Sequence, residues 1–142
     1  MGEPLLRDYP DGPVLLDTEV FIWAAMAPKK LSPLVRSICE APEYNLRASP
    51  ATLAEILIKV ERRGLPREMT AEWCEKQAQS LGITFIPIRT SHIALAFQMP
   101  LIHKDPFDRV ILATAIKEGF PLLTCDRTLH QYAGHSDVGI VW

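Results

Sequence analysis

Apolar positions along this chain recur in two alternating rhythms. Short runs rich in Val, Ile and Leu alternate with longer stretches in which apolar residues return every three or four positions. Pro13 to Leu16 is a short apolar run ending at Asp17, and Thr18 to Met26 then carries a helical pattern through Val20, Phe21, Ala24 and Ala25. Ser32-Pro33 opens a second helix to about Glu40, Tyr44 to Ala48 has the pattern of a strand, and Ser49-Pro50 opens a third helix running to Gly64. A further amphipathic helix is predicted from Arg67 to Leu81 with Gly82 as its stop, and ITFIPI (Ile83 to Ile88) is short and β-branched enough for a strand. A helix from about Ser91 to Gln98, an amphipathic helix opened by Asp105-Pro106 and stopped by Gly119, the strand-like Pro121 to Thr124, a small helix near Leu129 and a closing GIVW complete the pattern.

Strands separated by helices imply right-handed crossovers and a mostly parallel sheet covered on both faces, a three-layer α/β/α domain. Such sheets bind ligands beyond the carboxyl ends of their strands, so polar residues there carry the functional expectation. Asp17 follows the first strand, Asp126 follows PLLTC, and Asp108 lies in the first turn of the helix feeding that last strand. Glu55 is the lone polar residue in LAEILI, on a helix that leaves the end of another strand. Each acid also has an ordinary reading: Asp17 and Asp126 as helix or turn caps, Asp108 as a first-turn acid, Glu55 as an i,i+4 partner of Lys59. Asp105 reads as the helix cap itself.

Composition narrows the picture. A chain of 142 residues, 48% hydrophobic and 23% charged, has the content of a single domain with a substantial core. Its net charge of −2 excludes a protein that coats nucleic acid electrostatically, so any nucleic-acid contact is local. No apolar run approaches the roughly 20 residues needed to cross a bilayer, and MGEPLLRDYPDGP lacks the basic start and apolar core of a signal peptide. The expectation is a cytoplasmic protein with no membrane partner. Cys39, Cys74 and Cys125 form no C-x-x-C pair and read as ordinary buried thiols, and His92, His103, His130 and His135 have no ligand spacing and read as surface or cap residues.

Four anions gathered on one sheet edge repel one another, so they either take up protons or hold a cation, and oxygen-only ligands select Mg²⁺ or Mn²⁺ over zinc. LLDTEVFIW, SPATLAEILIK, HKDPFDRVILATAI and PLLTCD, in this order, resemble the PIN-domain ribonucleases, specifically the VapC-like toxins of toxin–antitoxin pairs. The resemblance spans Pro13 to Trp142, leaving residues 1–12 as a loosely attached arm. It implies a PIN-like sheet of about five strands in the order 3-2-1-4-5, and an acidic metal site of Asp17, Glu55, Asp108 and Asp126. It further implies that Thr18, Ser49 and Thr124 steady those carboxylates. The implied partners are an RNA substrate, a cognate antitoxin and a second copy of the chain in a homodimer. Apolar residues such as Leu34, Val35, Ile38, Leu57 and Trp73 on the second to fourth helices are the expected material for such contacts.

Lys104, Arg109 and Arg127 stand close to the acids in sequence and are candidate holders of RNA phosphates, with Lys59, Arg62 and Arg63 further along the Glu55 helix. For Arg109 a structural pair with a neighbouring carboxylate is an equal expectation. Three departures from the family pattern stand out: Glu19 where many relatives have His, Ala54 where many have Trp, and the segment preceding the first strand. Glu19 adds an acid near the site and removes no ligand. A haloacid-dehalogenase-type phosphatase would need Asp in place of Glu19 and Thr in place of Phe21. The remaining alternative is a non-catalytic PIN-fold module that binds RNA or a partner protein.

Overall fold

The computed structural model describes residues 9–142. Residues 1–8, most of the expected arm, lie outside the described residues. Where the description begins, the chain is already tied down: the Tyr44 hydroxyl donates to the Tyr9 carbonyl at 2.8 Å, and Tyr9 packs against the core. Pairing with the neighbouring strand starts at Gly12, whose φ of 131° suits a residue without a Cβ.

The sheet contains β1 (Gly12–Leu16), β2 (Tyr44–Ala48), β3 (Thr84–Phe85), β4 (Leu122–Leu123) and β5 (Ile140–Val141) in the order β3-β2-β1-β4-β5, all parallel. Among the described residues, seven α-helices connect and cover these strands: α1 (Thr18–Met26), α2 (Pro33–Glu40), α3 (Pro50–Glu61), α4 (Ala71–Leu81), α5 (Thr90–Gln98), α6 (Pro106–Glu118) and α7 (Arg127–His130). Period-two alternation divides the core. Val14, Leu16 and Leu123 join one apolar cluster with residues of α1, α2 and α4, whereas Leu15 and Leu122 join another built largely on α6. Helix α3 serves both clusters, through Ile56 in the first and Ala51 in the second.

Helix starts are set by capping. Asp17, Ser32, Ser49, Thr70, Asp105 and Asp126 each accept a backbone N–H of the first turn of the helix they precede. Capping also corrects the predicted start of the fourth helix. Thr70 accepts the Trp73 N–H at 3.1 Å, so α4 begins at Ala71 rather than Arg67. Met69 just before the cap and Cys74 in the first turn are buried in one cluster, the placement of a hydrophobic staple that extends the apolar rhythm past the helix itself. The third helix stops at Glu61, and the predicted strand at Ile83 to Ile88 pairs over Thr84–Phe85.

Two expectations about apolar residues change. Helix α6 is not amphipathic: every residue from Arg109 to Ala115 is buried, because the helix lies between the sheet and its neighbours. Leu34, Val35 and Ile38 are core residues, and Leu57 and Trp73 are half-buried, so these residues are not a free surface. Among the described residues, the exposed large apolar ones are instead Met26, Ile88, Ile93, Phe97 and Leu101. No helix among the described residues is long and apolar enough to cross a membrane.

Candidate active site

Strand β1 has β2 on one side and β4 on the other, so the chain leaves β1 and β4 toward opposite ends of the sheet. The crevice beyond their carboxyl ends is the topological switch point where α/β sheets bind ligands. The sequence-predicted acids meet there. Asp17 leaves β1, its N–H bonded to Leu123 O at 3.1 Å and its Oδ1 accepting the Val20 N–H at 2.8 Å. Thr124, just past β4, donates its hydroxyl to Asp17 Oδ2 and accepts the Asp126 N–H at 3.0 Å. One threonine thus ties together the acids that follow the two central strands.

Glu55 is reached from α1. Thr18 donates its hydroxyl to Glu55 Oε1 at 2.5 Å and lies 3.1 Å from the Thr52 hydroxyl, while Lys59 contacts Glu55 Oε2 at 3.2 Å. Both readings of Glu55 therefore hold together: it is the i,i+4 partner of Lys59 and a member of the acid cluster. Ser49 acts at one remove, accepting the Ala51 N–H at 3.0 Å and starting the helix that carries Glu55.

Asp108 links the parts. One oxygen each of Glu55, Asp105 and Asp108 lie within 4.8 Å of one another, and so do ligand atoms of His103, Asp108 and Asp126. Asp105 keeps its expected capping role, accepting the Phe107 N–H at 2.9 Å, while its carboxylate also adds to the negative field.

Burial and crowding act on these groups unequally. Asp17 is pushed up to about 7, first by burial and then by Glu19 and Asp126, against the lowering hydrogen bonds from Thr124 and Val20. Asp108 is pushed up to about 8, again by burial first and then by Glu55, Asp105, Asp17 and Asp126. Asp126 goes the other way. Burial raises it, but hydrogen bonds from His103 and from the Thr128 and Leu129 N–H groups together hold it below the usual carboxylate range. Asp126 thus ionises more readily than its neighbours Asp17 and Asp108, which burial and surrounding acids keep protonated to higher pH.

The basic residues separate. Lys104 and Arg127, next in sequence to Asp105 and Asp126, are exposed, as are Lys59, Arg62 and Arg63. Arg109 is buried, donating Nε–H to Ala96 O at 3.2 Å with its guanidinium 4.6 Å from the Phe97 ring centre. Its structural partner is a carbonyl and an aromatic face on α5, and the expected carboxylate pairing is replaced by these. Glu19 is exposed at the rim, 4.0 Å from the half-buried Cys125 thiol, whereas Cys74 is fully buried.

Sequence reasoning missed His103. Its Nε2 lies 2.8 Å from Asp126 Oδ2 and 3.3 Å from Asp108 Oδ2, so it is a member of the site and not a surface residue. The single signal in the chain is its position two residues before Asp105, and that spacing acquires meaning only when the loop folds back on Asp126. His92 is also buried, its Nδ1 accepting the Arg89 N–H at 3.0 Å, while His130 donates to Thr124 O at 2.8 Å.

Comparisons with known proteins agree with this geometry. The PIN domain family model matches residues 14–135. Ribonuclease VapC22 of Mycobacterium tuberculosis (strain ATCC 25618 / H37Rv) is 32% identical over 133 residues, covering 91% of this chain and 98% of that protein. Among solved structures, FitAcB from Neisseria gonorrhoeae superposes with a TM-score of 0.61 at 21% identity, covering 91% of this chain and 96% of that one. VapBC-5 from Mycobacterium tuberculosis, a toxin–antitoxin system, gives 0.60 at 18% identity, covering 91% and 97%. With the acids at the switch point of a 3-2-1-4-5 sheet and a family match across nearly its whole length, the chain belongs to the PIN-domain family, on its VapC-like side.

Proposed function

We propose that this chain is a divalent-cation-dependent endoribonuclease, working in the cytoplasm as the toxin of a VapBC-like toxin–antitoxin pair. The observation that carries the reading is the meeting of Asp17, Glu55, Asp108 and Asp126 beyond β1 and β4, with two of them pushed up toward neutrality by burial. That donor set fits a hard cation. It is made of carboxylate oxygens, partly buried and mutually repulsive, which suits Mg²⁺ or Mn²⁺ and not a thiophilic ion. The 32% identity to a ribonuclease over nearly the full length supports the substrate class, and the named toxin–antitoxin complexes among fold relatives support an antitoxin partner.

The residues divide the work. Asp17, Glu55, Asp108 and Asp126 would hold the cation, with Thr124 orienting Asp17 and Thr18 orienting Glu55. A bound divalent cation supplies a water of lowered pKa and neutralises charge building on the scissile phosphate. Lys104 and Arg127, exposed and next in sequence to Asp105 and Asp126, would engage flanking phosphates and hold the RNA backbone in line. Attack by water with the 3′-oxygen as leaving group would give 5′-phosphate and 3′-hydroxyl ends.

The test is cleavage of single-stranded RNA by purified protein. Activity should require Mg²⁺ or Mn²⁺, vanish in EDTA and give 5′-phosphate products. RNA binding without cleavage in either metal would instead identify a non-catalytic module, and cleavage that survives EDTA would exclude the metal mechanism.

A further inference from the structure

His103 brings an imidazole among the acids, and its surroundings select what it can do. A neutral imidazole has one N–H and one lone pair, and the partner of one nitrogen decides the state of the other. The Asp105 backbone N–H points at His103 Nδ1 from 3.0 Å, so Nδ1 holds the lone pair. The proton is then on Nε2, 2.8 Å from Asp126 Oδ2 and 3.3 Å from Asp108 Oδ2. Turning the ring over would set carbon atoms against Asp105 N–H and both carboxylates, losing every one of these contacts.

The backbone leaves the ring little room to rearrange. The His103 and Ile102 N–H groups donate to the buried Tyr132 hydroxyl at 2.9 and 3.0 Å, and that hydroxyl donates to Pro100 O at 2.7 Å. Coordination through Nε2 would require the lone pair there and move the proton to Nδ1. Two donors would then face each other, leaving the Asp105 N–H without its acceptor.

We infer that His103 is a positioning residue of the acid site, fixed as its Nε2–H tautomer by the Asp105 backbone so that it donates to Asp126, beside Asp108, and does not coordinate the cation. The inference rests on the proposed reading of the acids as a cation site. It sharpens that reading: the centre presents oxygen ligands alone, although a histidine stands within reach. The donor holds one oxygen of Asp126 and sets the direction in which the rest of that carboxylate faces.

The experiment has two readouts on the intact protein. Long-range ¹H–¹⁵N NMR correlations of the histidine rings, with His103 assigned by its loss in His103→Gln, report the tautomer directly. The Nε2–H form is expected without metal and after Mg²⁺ addition, and an Nδ1–H form in either state overturns the inference. Mg²⁺ affinity by calorimetry supplies the second. His103→Ala should weaken it by about 10- to 100-fold, the range for lost partners of metal ligands. His103→Gln, whose amide can donate in the same direction, should recover most of that loss. Equal losses in both variants, or no loss in His103→Ala, would overturn the positioning role. A wild-type protein that binds no Mg²⁺ would end the cation-site reading, and the role built on it, while the tautomer remains readable.

Discussion

Asp17 and Asp108 carry charges that the fold disfavours, and this has a consequence for stability. Both are raised from an ordinary carboxylate value of 3.8, to about 7 and about 8, so between pH 4 and pH 8 the folded chain binds more protons than the unfolded chain. Stability contributed by such groups is present at low pH and is lost as pH rises through the folded values. The melting temperature in EDTA should therefore fall from pH 5 to pH 8.5. On the proposed cation site, Mg²⁺ should remove most of that fall by binding the native state and offsetting the charges. A profile that is flat, or identical with and without Mg²⁺, would show that the acids are not coupled in this way. Asp108→Asn provides the local control. Asp105, not Asp108, caps α6, so the variant should stay folded and lose most of the Mg²⁺-induced increase in melting temperature.

At the scale of elements, the loop between α5 and α6 is held by one hydroxyl. Tyr132→Phe keeps the buried ring but deprives the Ile102 and His103 N–H groups of their acceptor and the Pro100 carbonyl of its donor. The expected cost is about 1–3 kcal/mol, read by urea denaturation, together with weaker Mg²⁺ binding. A loss of stability with metal affinity unchanged would separate the loop from the site. This loop also marks where the sequence was legible and where it was not. Caps and stops follow from local chemistry, so Asp17, Ser49-Pro50, Asp105-Pro106 and Gly119 could be read directly, whereas the strand order came from the family resemblance. The acids followed from topology, because a residue after a parallel strand has a known end of the sheet. His103 and Tyr132 depend on contacts across 23 and 30 residues of chain, and no periodicity encodes those. The same limit hid the all-round burial of α6, whose sequence rhythm does not reveal how many layers lie against it.

At the scale of the molecule, the apolar surface is concentrated near α5. Ile93 and Phe97 are 41% and 59% exposed one turn apart, and Leu101 just beyond is 68% exposed. Such a stripe suits a partner, either a second copy or an antitoxin helix. Phe97→Glu should lower the apparent mass by light scattering at tens of micromolar, and it should also loosen Arg109, whose guanidinium stacks on that ring. A mass that stays the same in a variant with wild-type circular dichroism would place the self-contact elsewhere. On the proposed function the activity turns on the acid at the end of β1, and the direct measurement is the single-turnover rate of RNA cleavage by Asp17→Asn in saturating Mg²⁺. Asn keeps the size of the side chain and most of its capping ability, so circular dichroism should match the wild type. The cleavage rate should fall by at least ~100-fold, in keeping with the several kcal/mol that metal stabilisation of transition-state charge supplies. A folded Asp17→Asn protein that cleaves at the wild-type rate would contradict the metal-dependent site at the β1–β4 switch point.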